Sequence, residues 1–221
     1  MQTSDFLNKL TTADRNDLLE IAEQHHFAKS ESIFQAGSDS EYVYILKTGQ
    51  VKIYELSSQA KEVILWFCFP AEIFGLSETT NEAKRSVYAH ACADSDVYLI
   101  QRNAFNHFLL QHPDAAMCTI DLLSCRLRGL SDLISNLTSD DVTSRVIKLL
   151  IRMSSLYGAQ EKEVLSINIQ LTHQEIADMV GASRQTVSST INQLKREGLL
   201  FINNDNIHID KSSLPEAFKA I

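Results

Sequence analysis

Apolar positions recur at strand spacing in the first half of the chain and at helical spacing in the second. Between about Phe27 and Ile100 the runs are short. Tyr42-Val43-Tyr44-Ile45-Leu46, the turn Thr48-Gly49 and Val51-Lys52-Ile53-Tyr54 read as a hairpin. Val63 to Phe69 is a continuous apolar run of strand length, Val87 to Ala91 alternates, and Asp96 to Ile100 closes the set. Many short strands joined by turns predict a small barrel or jelly roll. Residues 3–26 ahead of it read as helical.

From residue 114 to 137 the pattern changes. Ala116, Ile120, Leu123, Leu127, Leu130, Ile134 and Leu137 are separated by 4, 3, 4, 3, 4 and 3 residues, an unbroken heptad seam. Met117, Leu122 and Leu133 widen the apolar surface beside it. The spacing predicts a helix that pairs in parallel with a second copy through the seam and packs its flank on the β domain. Asp140 or Ser139 then caps a further helix bearing Val142, Val146, Leu149, Leu150 and Met153, with Gly158 past its end. The polar stretch Ala159 to Glu163 reads as a loop, and Val164 to Ile169 as a strand by alternation.

Thr172-His173-Gln174-Glu175 fits a capping box, in which a Thr hydroxyl and a Glu three residues on satisfy two backbone N–H groups at a helix start. Val180-Gly181-Ala182 breaks that helix, Ser183 caps the next, and Gly198 ends it. Helix, short turn, helix is the helix-turn-helix arrangement. On the second helix Val187, Ile191 and Leu194 share one face. The opposite face shows Gln185, Ser189, Asn192 and Arg196, with Arg184 and Ser188 near its leading end. Arg can grip guanine and Gln adenine with two hydrogen bonds each, and small Ser residues allow close approach to base edges. Leu199 to Ile202, the polar turn 203–206 and Ile207-His208-Ile209 read as a wing.

Charge argues against this at first, because the chain carries −8. It is unevenly placed. Residues 1–139 hold 18 acidic and 11 basic side chains (−7), and residues 140–221 hold 10 and 9 (−1). The DNA-facing part is near neutral, so affinity is expected to rest on a few placed contacts multiplied by dimerisation. Composition is that of an ordinary soluble protein, with 44% apolar and 22% charged residues. The longest apolar run has seven residues, no membrane span is expected, and no secretion signal opens the chain. The cytoplasm is the expected address, with Cys68, Cys92, Cys118 and Cys125 as reduced thiols.

On these motifs, and on "VGASRQTVSSTINQLKREGLL" above all, the chain resembles the CRP/FNR family of bacterial transcription regulators over nearly its whole length. The reading helix is similar to that of the family's haem-type carbon monoxide sensor branch. The resemblance implies an α+β fold. Its parts are an N-terminal jelly-roll, cyclic-nucleotide-binding-like sensor domain (residues 1–115), a dimerisation helix and hinge (116–139), and a C-terminal winged helix-turn-helix domain (140–221). It further implies a homodimer, joined through Ile120, Leu123, Leu127, Leu130, Ile134 and Leu137, on double-stranded DNA with a palindromic operator. Thr172, His173, Ser183, Arg184, Gln185, Ser188, Ser189 and Asn192 are the expected DNA contacts, and RNA polymerase is the expected partner in activation. Many members carry Arg where Ser189 stands and Glu where Gln185 stands, so the operator sequence does not transfer.

The effector is left open by the same resemblance. Gly75, Leu76, Arg85, Ser86 and Ser131 occupy the positions of the family's nucleotide contacts. Arg85-Ser86 matches a phosphate-binding pair, but Leu76 stands where a ribose-binding Glu belongs and Leu130 where a Thr precedes Ser131; the nearest acid is Glu78. Ser77 occupies the place of the carbon monoxide sensor's haem ligand, leaving His25, His26, His90 and His107 as other haem candidates. No Cys precedes residue 68, which excludes the oxygen sensor's N-terminal cluster, while convergence of the four thiols as a redox or iron–sulfur site stays open. No cofactor, metal site or catalytic residue is assigned. The competing classes are a metal-dependent jelly-roll enzyme, which lacks the expected His-x-His pair, and a ligand-independent regulator whose barrel is scaffold.

Overall fold

The computed structural model describes residues 5–78, 83–161, 164–167, 169, 171–203 and 206–219. They form two compact units, divided within the longest helix between Arg128 and Gly129. In the first, α1 (Phe6–Lys9) and α2 (Thr12–Glu20) precede the strands β1 (Ala22–Phe27), β2 (Ser32–Phe34), β3 (Tyr42–Thr48), β4 (Val51–Leu56), β5 (Glu62–Cys68), β6 (Ile73–Phe74), β7 (Tyr88–Ala91) and β8 (Ser95–Gln101). Then come α3 (Arg102–Gln111) and the start of α4 (Pro113–Ser139).

The strands make two antiparallel sheets, in the orders β1-β8-β3-β6 and β2-β7-β4-β5. The expected hairpin is therefore corrected: β3 and β4 form but lie in different sheets and do not pair. Gly49 (φ +97°) carries the chain between them. A Cβ at Gly49 would fall 2.2 Å from Ser95 Oγ, so the turn tolerates only glycine. The helical reading of residues 3–26 is corrected too. Helix ends at Glu20, and the polar segment Ala22–Phe27 is an edge strand paired with β8. Its own side chains give little β signal; backbone pairing with Ser95–Ile100 decides its state.

The β3 run is apolar throughout because both its faces are covered. Tyr44 and Leu46 pack with Phe34, Val51, Ile53 and Phe74, whereas Val43 and Ile45 pack with Leu18, Phe105 and Phe108 of the helices. Ala115 and Leu122 of α4 join that second cluster, fixing the first half of α4 on its own β domain. The seam residues behave differently. Ile120, Leu123, Leu127, Ile134 and Leu137 are all exposed, from 43% at Leu123 to 67% at Leu127. Leu130 is half-buried.

The second unit contains the rest of α4, α5 (Val142–Tyr157), β9 (Gly158–Glu161), β10 (Val164–Ile167), α6 (His173–Val180), α7 (Arg184–Arg196), β11 (Leu200–Asn203), β12 (Asn206–Asp210) and α8 (Glu216–Lys219). Its four strands form an antiparallel sheet in the order β11-β12-β10-β9. The N-cap of α5 is Asp141, not the expected Asp140 or Ser139, accepting from Ser144 N at 2.7 Å. That bond, with the Ser144 hydroxyl, holds the Asp141 carboxyl below its ordinary pKa. The expected loop from Ala159 begins instead as strand β9, paired with β10. Gly158 permits this: its would-be Cβ lies 1.8 Å from Ser166 O, a backbone approach no side chain allows. Asn168, the wing turn at 204–205 and residues 162–163 of the expected loop lie outside the described residues.

Candidate functional site

Two groups of residues singled out by the sequence fall in different units. In the second unit, the helix-turn-helix is built by three local devices. Thr172 Oγ1 accepts from Glu175 N (3.1 Å) while Glu175 Oε2 accepts from Thr172 N (2.8 Å), completing the capping box. Gly181 ends α6 in the left-handed region (φ +64°). Ser183 Oγ then accepts from Thr186 N (3.0 Å) to start α7.

Val187, Thr190, Ile191 and Leu194 of α7 are buried, so the opposite side of the helix must face outward. Ser183, Arg184, Gln185, Ser189 and Asn192 are exposed there, together with Arg196. No ion pair holds the Arg184 guanidinium among the described residues, which leaves its fork available to a base edge or phosphate. His173 and Ser188 are half-buried and joined to each other, Nδ1 to Oγ at 2.8 Å. Burial, with Lys195 and Arg184 nearby, holds the His173 imidazole below its ordinary pKa. The neutral ring thus ties the start of α6 to α7, a role the residue spacing alone does not show. Phe201 of the wing stacks on His208 at 5.0 Å between ring centroids.

Arg145 is the feature of this unit that sequence reasoning missed. Its Nε donates to Val180 O at the end of α6, and its Nη1 donates to Asp140 O at the α4–α5 joint, both at 2.9 Å. A cation at a helix C-terminus meets the negative end of the helix dipole. An Arg at the fourth position of an amphipathic helix carries no signal of this in the sequence.

In the first unit, Gly75, Leu76, Arg85 and Ser86 lie around β6 and β7, and their states differ. Ser86 is exposed, while the Leu76 side chain is packed into the core. Arg85 is almost wholly buried and pairs with the equally buried Glu78, Nη1 to Oε2 at 2.8 Å. Nη1 also donates to Gly75 O (2.9 Å), Nη2 donates to Tyr42 O, and the guanidinium lies 4.5 Å from the Phe34 ring centroid. The Arg that matches a phosphate-binding residue is thus compensated by a carboxylate of its own chain. Glu78 was visible in the sequence as the nearest acid, but nothing in its spacing placed it on Arg85. Gly75 (φ +75°) is needed here, since a Cβ would crowd Tyr44 at 2.9 Å and Arg85 at 3.1 Å. Ser131, the fifth of the set, is a residue of α4 in the other unit.

The four thiols do not gather, which corrects the convergence left open above. Cys68 sits between the two sheets, where burial pushes its thiol up to about 12, whereas Cys118 packs against the cluster on the helix side. Cys125 accepts from Arg128 Nη2. Among the described residues no three His, Cys, Asp or Glu side chains stand together as a metal site. Of the histidines weighed as haem ligands, His26 is bonded to Asp96 (2.9 Å) and His90 lies edge-on to Tyr54. No described helix is long and apolar enough to cross a membrane.

Comparison with known proteins agrees with this division. Residues 24–112 match the model of the cyclic nucleotide-binding domain, and residues 144–214 that of the Crp-like helix-turn-helix domain. The chain is 28% identical to the anaerobic regulatory protein of Bacillus subtilis, over 87% of this chain and 82% of that one. It is 26% identical to the CRP-like cAMP-activated global transcriptional regulator of Mycobacterium tuberculosis, over 84% and 83%. Among solved structures, FixK2 from Bradyrhizobium japonicum superposes with a TM-score of 0.73 at 25% identity, covering 86% of this chain and 92% of that one.

Proposed function

Since this chain belongs to the CRP/FNR family of DNA-binding transcription regulators, we propose that it acts as a homodimer on a palindromic operator. The observation that carries the reading is the line of exposed apolar side chains along α4, from Ile120 to Leu137. Five large apolar residues at heptad spacing on one helix face favour a second copy of the same helix. Two-fold symmetry then presents two copies of α7 to successive major grooves about one helical turn apart.

In this reading Arg184, Gln185, Ser189 and Asn192 meet base edges. Thr172, His173, Ser183 and Ser188, at the leading ends of α6 and α7, fix the helices against phosphates. The complex recruits RNA polymerase and activates, in the cytoplasm where the chromosome lies, and the protein is no enzyme. The N-terminal domain gates binding. The gating signal is a small molecule, gas or redox change, and a cyclic nucleotide seated on Arg85 would have to displace Glu78.

Selection from a pool of random duplexes tests this. The expected outcome is an enriched inverted repeat bound by two protomers. Enrichment of single half-sites by a monomer, or no enrichment with and without reductant and cyclic nucleotides, refutes it. The absorption spectrum of anaerobically purified protein identifies a haem or iron–sulfur signal directly.

A further inference from the structure

A cavity of about 320 Å³ opens in the second unit between the last turns of α4 and α5, with Met179 and Val180 of α6 contributing to its wall. We propose that this cavity binds a small organic anion with an apolar body, an acyl or aryl carboxylate.

Its size falls at the lower end of small-ligand sites. Leu133, Leu149 and Met179 supply apolar surface, and Arg145, Lys148 and Arg152 line the same cavity. The spacing 145, 148, 152 puts the three cations on one face of α5. Lys148 is neutralised by Asp140 at 2.7 Å. The two guanidiniums are not: Arg145 donates to the carbonyls already described, and Arg152 Nη1 to Gly129 O at 3.3 Å, all uncharged acceptors. Asp132, exposed on α4, is the lone carboxylate among the lining residues. The wall therefore carries excess positive charge.

Arg152 adds a second observation. Its Nε is buried and has no hydrogen-bond partner among the described residues. An unsatisfied buried donor is destabilising, and an acceptor oxygen on a bound molecule would be the group to meet it. An apolar wall alone would suit a neutral hydrocarbon, and exposed cations alone would suit any salt anion. Their meeting in one cavity selects a molecule with both characters. This inference goes beyond the DNA-binding reading and does not depend on it.

Calorimetric titration of the full chain with octanoate and with 4-phenylbutyrate is the test. Saturable binding of at least one probe, one per chain, is expected. Octanamide, the neutral counterpart of octanoate, should bind at least about tenfold more weakly, the loss of one charge-assisted contact. Arg152→Gln should weaken the carboxylate by a similar factor and Arg152→Lys by less, with thermal midpoints confirming that both variants fold. No saturable heat from either probe overturns the proposal. So does an amide that binds as well as the acid, or an Arg152→Gln variant that binds like the unaltered protein.

Discussion

Replacing Leu127 by Asp tests the dimer where it is most exposed. The five exposed seam residues leave nearly three whole side chains' worth of apolar surface in water per protomer. Burying that surface is worth about 4–8 kcal/mol per protomer, roughly 8–16 kcal/mol for the pair, a gain of the same size as the roughly 4–15 kcal/mol cost of association. Leu127, two-thirds exposed, accounts for roughly 1–2 kcal/mol of it on each side. By symmetry the two introduced carboxylates would face one another near the axis, each losing water without a cation to replace it, at several kcal/mol per carboxylate. The variant should lose at least about 4 kcal/mol of association, roughly a thousandfold in dimer Kd. Sedimentation velocity at micromolar protein should then show monomers, with the circular-dichroism spectrum of the folded chain retained and the thermal midpoint lowered by the lost partner. Operator affinity should fall with it, because one half-site must hold alone. Leu127→Ala, which removes the surface without adding charge, should give an intermediate loss of roughly 2–4 kcal/mol. A Leu127→Asp protein that stays dimeric refutes the seam.

Arg184→Ala should weaken operator binding by about 1–3 kcal/mol and relax preference at one base pair, read by competition with single-base operator variants; an unchanged preference contradicts base contact. Glu78→Gln leaves the buried Arg85 charge uncompensated and should cost about 3–5 kcal/mol in urea unfolding. Millimolar cyclic AMP should stabilise that variant more than the unaltered chain, and equal shifts would show that Glu78 does not occupy the anion position. Cys68, fully buried with its thiol pushed up to about 12, should resist iodoacetamide at mildly alkaline pH in the native protein and react only after denaturation. Native labelling in mass spectrometry would contradict that burial.

Elements whose own residues decide their state were legible in the sequence. The capping box at Thr172 and Glu175, the break at Gly181 and the buried face of α7 are local, and the heptad row of α4 is periodic. What was hidden depends on distant partners. The polar residues at 22–27 become a strand only because β8 offers its edge. The residues on either side of Gly49 look like a hairpin, yet β3 pairs with β8 and β6 while β4 pairs with β5 and β7, which puts them in different sheets. At the candidate sites the same limit holds. Exposure of Arg184 follows from helical phase, but the Glu78–Arg85 and His173–Ser188 pairs need the folded backbone to bring them within reach.

One guanidinium spans two places on the backbone in the DNA-binding unit. Arg145 holds the carbonyl where α4 gives way to α5 and the carbonyl just before the α6–α7 turn. A swing about residues 140–141 must therefore drag that turn along or snap a bond at one end of the strut. The end of α6 is thereby tied to the bend at the joint, and a lysine in place of Arg145, with one ammonium instead of a rigid fork, would loosen that tie.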